Sequence, residues 1–321
     1  ARTGRSVPQW RCGLFLLRTM QATLPISTGA SQPPTLILPS PATHFSQRAQ
    51  RLEQLAQGHA LGDFLQFMAA LARAQHAALQ QLSPPSLPDA ASLDQARTHG
   101  MPPLAAQSLP HDAAWHGALY HLLDALEPTA NAATASLLAE LRAQPAEQLE
   151  AMAARILDTD FSGPDTRFFP LVAAALQVVW VQRVTSLPVQ AYAALDVRNV
   201  CPACGCLPLG SVIGAHADVT GLRYAQCSLC GTQWNVTRAS CLACGAGEDR
   251  VGYHSIEGDQ GPMQAESCDE CHTYFKLLRR DQDASADLTA DDLASLALDM
   301  LLDDAGFARG GPNLLFVPGN S

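Results

Sequence analysis

The sequence predicts a multidomain α plus small-β protein: an N-terminal all-α bundle, then two tandem ribbons of the zinc-ribbon type, then a C-terminal acidic helix. Three observations carry this. The chain is 47 % hydrophobic but only 6 % aromatic, because its apolar residues are largely Ala and Leu, which favour helices over sheets. Apolar residues recur at three- and four-residue steps between Phe45 and Thr185, the period of a helix face. Finally, Cys201/Cys204, Cys227/Cys230, Cys241/Cys244 and Cys268/Cys271 place four Cys-x-x-Cys pairs within 71 residues. At 321 residues the chain can form two domains, one with a sizeable core.

Residues 1–42 read as an extended arm. Pro25, Pro33, Pro34, Pro39 and Pro41 break it, and Leu36-Ile37-Leu38 is its one apolar anchor. Residues 1–19 precede Met20 and read as upstream or tag-like sequence. The apolar stretch Leu14–Leu17 is short, is closed by Arg18 and lacks a small-residue cleavage site after it, unlike a signal peptide. No run approaches the roughly 18 apolar residues of a membrane span.

Residues 43–196 read as the all-α domain. Leu52, Leu55, Leu61, Phe64, Leu65, Met68, Leu71, Ala72 and Leu79 follow a helical period that Gly58 and Gly62 divide into a short and a long helix. Six prolines between 83 and 110 predict a long connection with few helical turns. Asp112 is a candidate N-cap for a helix from Ala113 to Leu126, which stops before Pro128. Further helices fit Ala132–Arg142, Ala146–Leu157 and Phe168–Thr185, and one more is expected from Pro188 to Leu195. The Phe168–Thr185 segment is apolar almost all round, which assigns it to the centre of the bundle.

Residues 197–239 and 240–280 read as the two ribbons, with small strands at Ser211–Gly214 and Leu222–Gln226. Cys201 to Cys241 is 40 residues and Cys227 to Cys268 is 41; Trp234 and Phe275 each follow a second cysteine by four positions. This is a duplicated module, each copy closed by one aromatic. Residues 281–321 form the acidic segment and tail. Leu288, Leu293, Leu296, Ala297, Met300 and Leu301 make one apolar helical face, with the aspartates expected in water.

The chemistry rests on the cysteines. A two-residue spacer lets both sulfurs of one turn face a single ion, and two turns complete the four-thiolate shell that zinc or iron accepts. Spacers of 22 (205–226), 10 (231–240) and 23 (245–267) residues read as Cys201/Cys204 with Cys227/Cys230, then Cys241/Cys244 with Cys268/Cys271. Crossed pairing, first with third, is the alternative. Eight of ten cysteines crowd into one segment, which suits metal in a reducing compartment rather than a disulfide framework. Cys206 reads as a free thiol beside the first turn, Cys12 as incidental and His272 as a surface turn residue. His216 and His254 fall in the spacers, where eight cysteines already complete two sites. A closed four-thiolate shell points to a structural rather than a catalytic ion.

The formal net charge of −10 argues against a nucleic-acid partner, whose binding rests on Lys and Arg. Arg223, Arg238, Arg250, Lys276, Arg279 and Arg280 read as offsetting thiolate charge. No nucleophile–base order, Walker loop or dinucleotide fingerprint occurs in a fitting context, so no catalytic residue is assigned.

Beyond these residue-level readings, the chain resembles the formate dehydrogenase accessory protein family, FdhE. Arg48–Gln75 (RAQRLEQLAQGHALGDFLQFMAALARAQ), Phe168–Trp180 (FFPLVAAALQVVW), all four cysteine pairs (Cys-Pro-Ala-Cys-Gly at 201–205, Cys-Asp-Glu-Cys-His at 268–272) and Ala290–Gly306 (ADDLASLALDMLLDDAG) carry the likeness. Residues 1–40 and the linker Pro188–Val200 add nothing to it. The resemblance implies a cytoplasmic, non-enzymatic protein with rubredoxin-like modules that assists maturation of a molybdenum- or tungsten-dependent formate dehydrogenase. It implies that enzyme's catalytic subunit as partner, with neither nucleic acid nor stable membrane insertion. All eight paired cysteines match, so the metal role carries to each: two ions per chain, iron or zinc, with iron favoured by the likeness. An electron carrier with redox-active iron and a zinc-ribbon nucleic-acid module are the competing classes.

Overall fold

A computed structural model of the chain describes residues 17–19, 33–108, 114–214, 221–256 and 261–316. The helical domain is arranged around α7 (Phe169–Thr185), which buries fourteen of its seventeen residues. Around it stand α1 (His44–Ala56), α2 (Gly62–Gln81), α4 (Ala114–Leu126), α5 (Ala132–Arg142) and α6 (Ala146–Leu157), with α1 laid along α2, and α2, α4 and α6 against α7. Asn131 caps α5 by accepting a hydrogen bond from Thr134 N–H at 2.9 Å, which supplies one of the donors a helix start leaves unpaired.

Three expectations change. Residues Pro164–Thr185 are long and apolar enough to cross a bilayer, contrary to the sequence reading, but 83 % of their apolar window is buried inside the protein. The segment reaches membrane length because a preceding 3-10 turn joins α7, and it serves as bundle core. The proline-rich connection contains α3 (Ala90–Thr98), capped by Asp89 and burying none of its residues; with no apolar face it left no periodic trace. After Pro188 there is one 3-10 turn, Val189–Ala191, instead of a helix. The proposed cap Asp112 lies outside the described residues.

Both ribbons contribute to one nine-stranded sheet. In chain order its strands are β1 (Leu17–Thr19), β2 (Leu36–Ile37), β3 (Pro208–Ile213), β4 (Arg223–Cys227), β5 (Gln233–Val236), β6 (Val251–Ile256), β7 (Met263–Cys268), β8 (Thr273–Arg279) and β9 (Ala308–Arg309). Their spatial order is β1-β6-β7-β8-β3-β4-β5-β2, with β9 on β8. The ribbons join where β3 runs parallel to β8, Gly210 opposite Lys276. A Cβ on Gly210 would lie 2.4 Å from the Lys276 carbonyl oxygen, so this seam requires glycine. The arm is engaged at both sheet ends: β2 pairs with β5 and β1 with β6. Trp234 and Phe275 do not close separate clusters. Both enter the main core shared with the helical domain.

The acidic segment is not one helix with its aspartates in water. It forms α8 (Leu288–Ala294) and α9 (Leu296–Asp304), broken at Ser295. Asp291 and Asp292 are buried. Arg51 of α1 grips Asp291 through Nε and Nη2 at 2.9 and 2.6 Å and reaches Asp283 at 2.8 Å. Lys276 is fully buried against Asp292 at 3.3 Å and Asp299 at 2.9 Å, and Arg309 bonds both aspartates. A buried charge survives only when paired and hydrogen-bonded; these carboxylates therefore pin the segment to α1 and the sheet.

Candidate metal centre

Each cysteine pair sits in a turn whose geometry follows from the residue after its second cysteine. Gly205, Gly231 and Gly245 have φ of 78°, 71° and 78°, and the fourth turn puts His272 there at φ 53°. A left-handed residue at this position folds the chain back; Gly205 and Gly245 N–H then reach the Cys201 and Cys241 carbonyls, at 2.9 and 3.0 Å. The same turns aim amide N–H groups at sulfur: Leu229 and Cys230 donate to Cys227 Sγ at 3.4 Å, Ala243 and Cys244 to Cys241 Sγ at 3.3 and 3.5 Å.

The turns meet in sequential order. Cys201, Cys204, Cys227 and Cys230 form one cluster, and Cys241, Cys244, Cys268 and Cys271 the other, the sulfurs of each lying within 4.8 Å of one another. Resolved sulfur–sulfur separations are 3.4, 3.6 and 3.7 Å in the first cluster and 3.6 and 3.7 Å in the second. A tetrahedron with metal–sulfur bonds of about 2.3 Å has edges of about 3.8 Å, so the spacing fits an ion at each centroid. Among the described residues the cysteines are free of disulfides.

Electrostatics point the same way. Burial pushes the thiols of Cys201, Cys204 and Cys227 upward. Burial acts on Cys230 too, but hydrogen bonding with the other three sulfurs and Thr232 outweighs it and holds this thiol well below its usual value. In the second cluster burial pushes Cys241 up to about 12, while contacts with Thr273, Cys241 and Cys244 overcome burial at Cys271 and bring it down to about 7. Four packed thiols therefore resist giving up their protons together unless a cation joins them. Two four-cysteine clusters able to bind one metal ion each are the result; the donor set accepts iron and zinc alike.

The surroundings differ. All four cysteines of the first cluster are buried, whereas in the second Cys244 is exposed and Cys271 half-buried. The helical domain covers the first. Leu104 N–H donates to the Ala203 carbonyl at 3.0 Å and Ala106 N–H to the Cys204 carbonyl at 2.9 Å. Gln75 of α2 donates to Gln177 of α7 at 3.1 Å, and Gln177 donates to the Ser228 carbonyl at 2.9 Å. His44 lies against Gly231, where a Cβ would meet its ring at 2.6 Å.

These covering residues escaped the sequence reading, although Gln177 stands alone as a polar residue within Phe168–Trp180. Thr232 and Thr273 also went unread; each follows its ribbon's last cysteine by two positions and contacts that sulfur. Cys206 is buried outside both clusters, its carbonyl accepting from Cys201 N–H at 2.9 Å. His254 bonds Ser267 Oγ at 2.7 Å rather than a cysteine cluster, and His272 is exposed. His216 and Cys12 lie outside the described residues. The assignment of cations to thiolate charge is corrected: Lys276 pairs with Asp292 and Asp299, Arg223 with Glu266, Arg250 with Glu270, and Arg279 with Asp281. Carboxylates within ion-pairing distance, buried at Glu266 and Asp292 and exposed at Glu270, take their charge instead.

Comparison with known proteins follows this architecture along the chain. Models described as FdhE, N-terminal; FdhE, central domain; and FdhE, C-terminal domain match residues 33–196, 200–238 and 239–316. A Protein FdhE of Salmonella paratyphi A is 36 % identical over 288 residues, covering 89 % of this chain and 92 % of its own. A Protein FdhE homolog of Pseudomonas aeruginosa is 40 % identical over 301 residues, covering 92 % and 96 %. The crystal structure of the FdhE protein from Pseudomonas aeruginosa superposes with a TM-score of 0.80 at 39 % identity, covering 89 % of this chain and all of that one.

Proposed function

Because the chain belongs to the FdhE family, we propose that it is a cytoplasmic accessory protein that assists maturation of the catalytic subunit of a molybdenum- or tungsten-dependent formate dehydrogenase. It acts by binding that subunit, without an enzymatic reaction of its own. The observation that carries this is the alignment of all three family models, in order, with the helical domain and both four-cysteine clusters. Cys201, Cys204, Cys227 and Cys230 hold one ion, and Cys241, Cys244, Cys268 and Cys271 the other. When bound, each ion neutralises thiolate charge and cross-links turns that have little core of their own.

A second reading, electron transfer through iron, is favoured by one observation: the exposed Cys244 brings the second cluster to the surface, where an electron partner could approach. Reversible visible absorbance on oxidation and reduction of the isolated protein separates this reading from a structural role. A nucleic-acid role is weakened, since Arg223, Lys276 and Arg279 are engaged by carboxylates instead of facing phosphates.

The test is genetic and biochemical together. Deleting the gene should abolish formate oxidation, a plasmid copy should restore it, and a tagged chain should co-purify with the formate dehydrogenase catalytic subunit. Full formate dehydrogenase activity in the deletion strain refutes the proposal.

A further inference from the structure

We infer that the two centres differ in kind: the Cys241/Cys244/Cys268/Cys271 centre exchanges its ion with solution while the protein stays folded, and the Cys201/Cys204/Cys227/Cys230 centre is sealed. The ligand class is a soft divalent cation, moved through neutral, nitrogen-bearing chelators that reach Cys244. This rests on reading the eight cysteines as ligands to two ions.

Three independent features separate the centres. The first is access. Cys244 is exposed and Cys271 half-buried, while every cysteine of the other cluster is buried. A groove of about 650 Å³ is lined in part by Asn199, Val236, Thr237, Ala243, Cys244 and Gly245, room enough for a small chelator beside that sulfur. The second is what lies between the paired cysteines. The sealed centre has Pro202-Ala203 and Ser228-Leu229, all buried, whereas the open one has Asp269-Glu270, exposed, in its second turn. Glu248 and Asp249 are exposed beside them, the Arg250 carbonyl of that turn accepting from Asp269 N–H at 2.9 Å. Arg250 is the one cation in this group and is taken by Glu270 at 2.8 Å. An acidic rim raises the local concentration of cations and disfavours anions.

The third feature is the strap. Reaching the sealed centre means breaking the Leu104–Ala203 and Ala106–Cys204 backbone bonds and the Gln177–Ser228 bond. Each contributes about 1 kcal/mol, so opening the strap slows release by roughly 100-fold at about 1.4 kcal/mol per decade. At the open centre the turns themselves receive one long bond from outside the ribbon among the described residues, Asn199 Nδ2 to the Ala243 carbonyl at 3.4 Å, and a second bond, Ala308 N–H to the His272 carbonyl at 2.8 Å, falls just past Cys271. Exchange begins at Cys244. With an ion bound, Cys244 would be the first thiolate a chelator donor could displace and Cys271 the second, each taking up a proton from the buffer as it is released, with no change of oxidation state.

The test uses the full-length protein. Metal is counted first; fewer than two ions per chain refutes the metal reading itself, and the inference with it. Excess 1,10-phenanthroline, a neutral nitrogen chelator that the acidic rim does not repel, is then added. Release should be biphasic, one ion per phase, with rates separated by roughly 100-fold, and far-UV dichroism should not change in the fast phase. Iodoacetamide added after that phase should label Cys241, Cys244, Cys268 and Cys271 ahead of Cys201, Cys204, Cys227 and Cys230. A single phase, labelling of the Cys201 quartet first, or unfolding during the fast phase overturns the inference while leaving the metal reading intact. In Cys244→Ser the retained ion should leave only in the slow phase; fast loss of that ion also overturns it.

Discussion

Replacing Gln177 by leucine isolates the link between the helical domain and the first cysteine cluster. Gln177 is buried on α7, accepts from Gln75 at 3.1 Å and donates to the Ser228 carbonyl at 2.9 Å. Leucine has a similar volume, so the change opens no cavity. It removes two hydrogen bonds of about 1 kcal/mol each and leaves the Ser228 carbonyl short of a donor at about 1–3 kcal/mol. The Gln75 amide is less affected, since it still donates to the Ala174 carbonyl at 2.9 Å. The expected loss is about 3–5 kcal/mol, read from the urea midpoint of metal-loaded protein as the product of slope and midpoint shift. If the strap governs access to the sealed centre, the slow chelation phase should quicken by roughly 5-fold, the one strap bond of about 1 kcal/mol that the change removes at 1.4 kcal/mol per decade, with the fast phase unchanged. A stability change below about 0.5 kcal/mol with an unaltered slow phase refutes the coupling of α7 to this cluster.

Other perturbations probe separate parts of the structure. Lys276→Met leaves Arg309 as the one cation paired with Asp292 and Asp299 among the described residues, beside the hydrogen bonds from Asn313 and Tyr274, and should cost about 3 kcal/mol in urea unfolding, while metal content stays at that of the parent. Burial and the Arg48 charge bring His44 down to about 3. Its folded-state pKa is therefore depressed, so its share of stability is complete above the unfolded value near 6.5 and is lost as pH falls below it. The slope should reach at most about 1.4 kcal/mol per pH unit, and His44→Asn should flatten the profile between pH ~6.5 and ~5. Cys206→Ser should retain both ions and cost about 1 kcal/mol, whereas Cys201→Ser should lose one ion and loosen its ribbon, both read by metal analysis beside far-UV dichroism.

What could be read in the sequence was whatever a short stretch determines by itself. The all-round apolarity of Phe168–Thr185 marks a central helix, and α5 and α6 appear with the bounds their periodicity sets. Cysteine spacing marks the turns because a turn is four residues of local geometry. Elements whose character depends on distant partners could not be read. Arg51 lies 240 residues from Asp291, and no local pattern tells a salt-bridged aspartate from a solvated one. The α3 helix buries no residue, so periodicity had nothing to register. The unequal burial of the two clusters comes largely from residues 104–106 and from Gln177, far from the cysteines in sequence; its local trace is confined to Asp269-Glu270 in the last turn, where the first ribbon has Pro202-Ala203 and Ser228-Leu229.

Both the accessory role and the unequal centres depend on two ions held by the eight paired cysteines. Native mass spectrometry of the full-length protein, beside Cys201→Ser and Cys241→Ser, tests that directly. Two ions should be found in the parent chain and one in each variant, with the remaining ion in each variant protecting the intact quartet from iodoacetamide. One ion or none in the parent, or loss of both ions from either single substitution, would contradict the account.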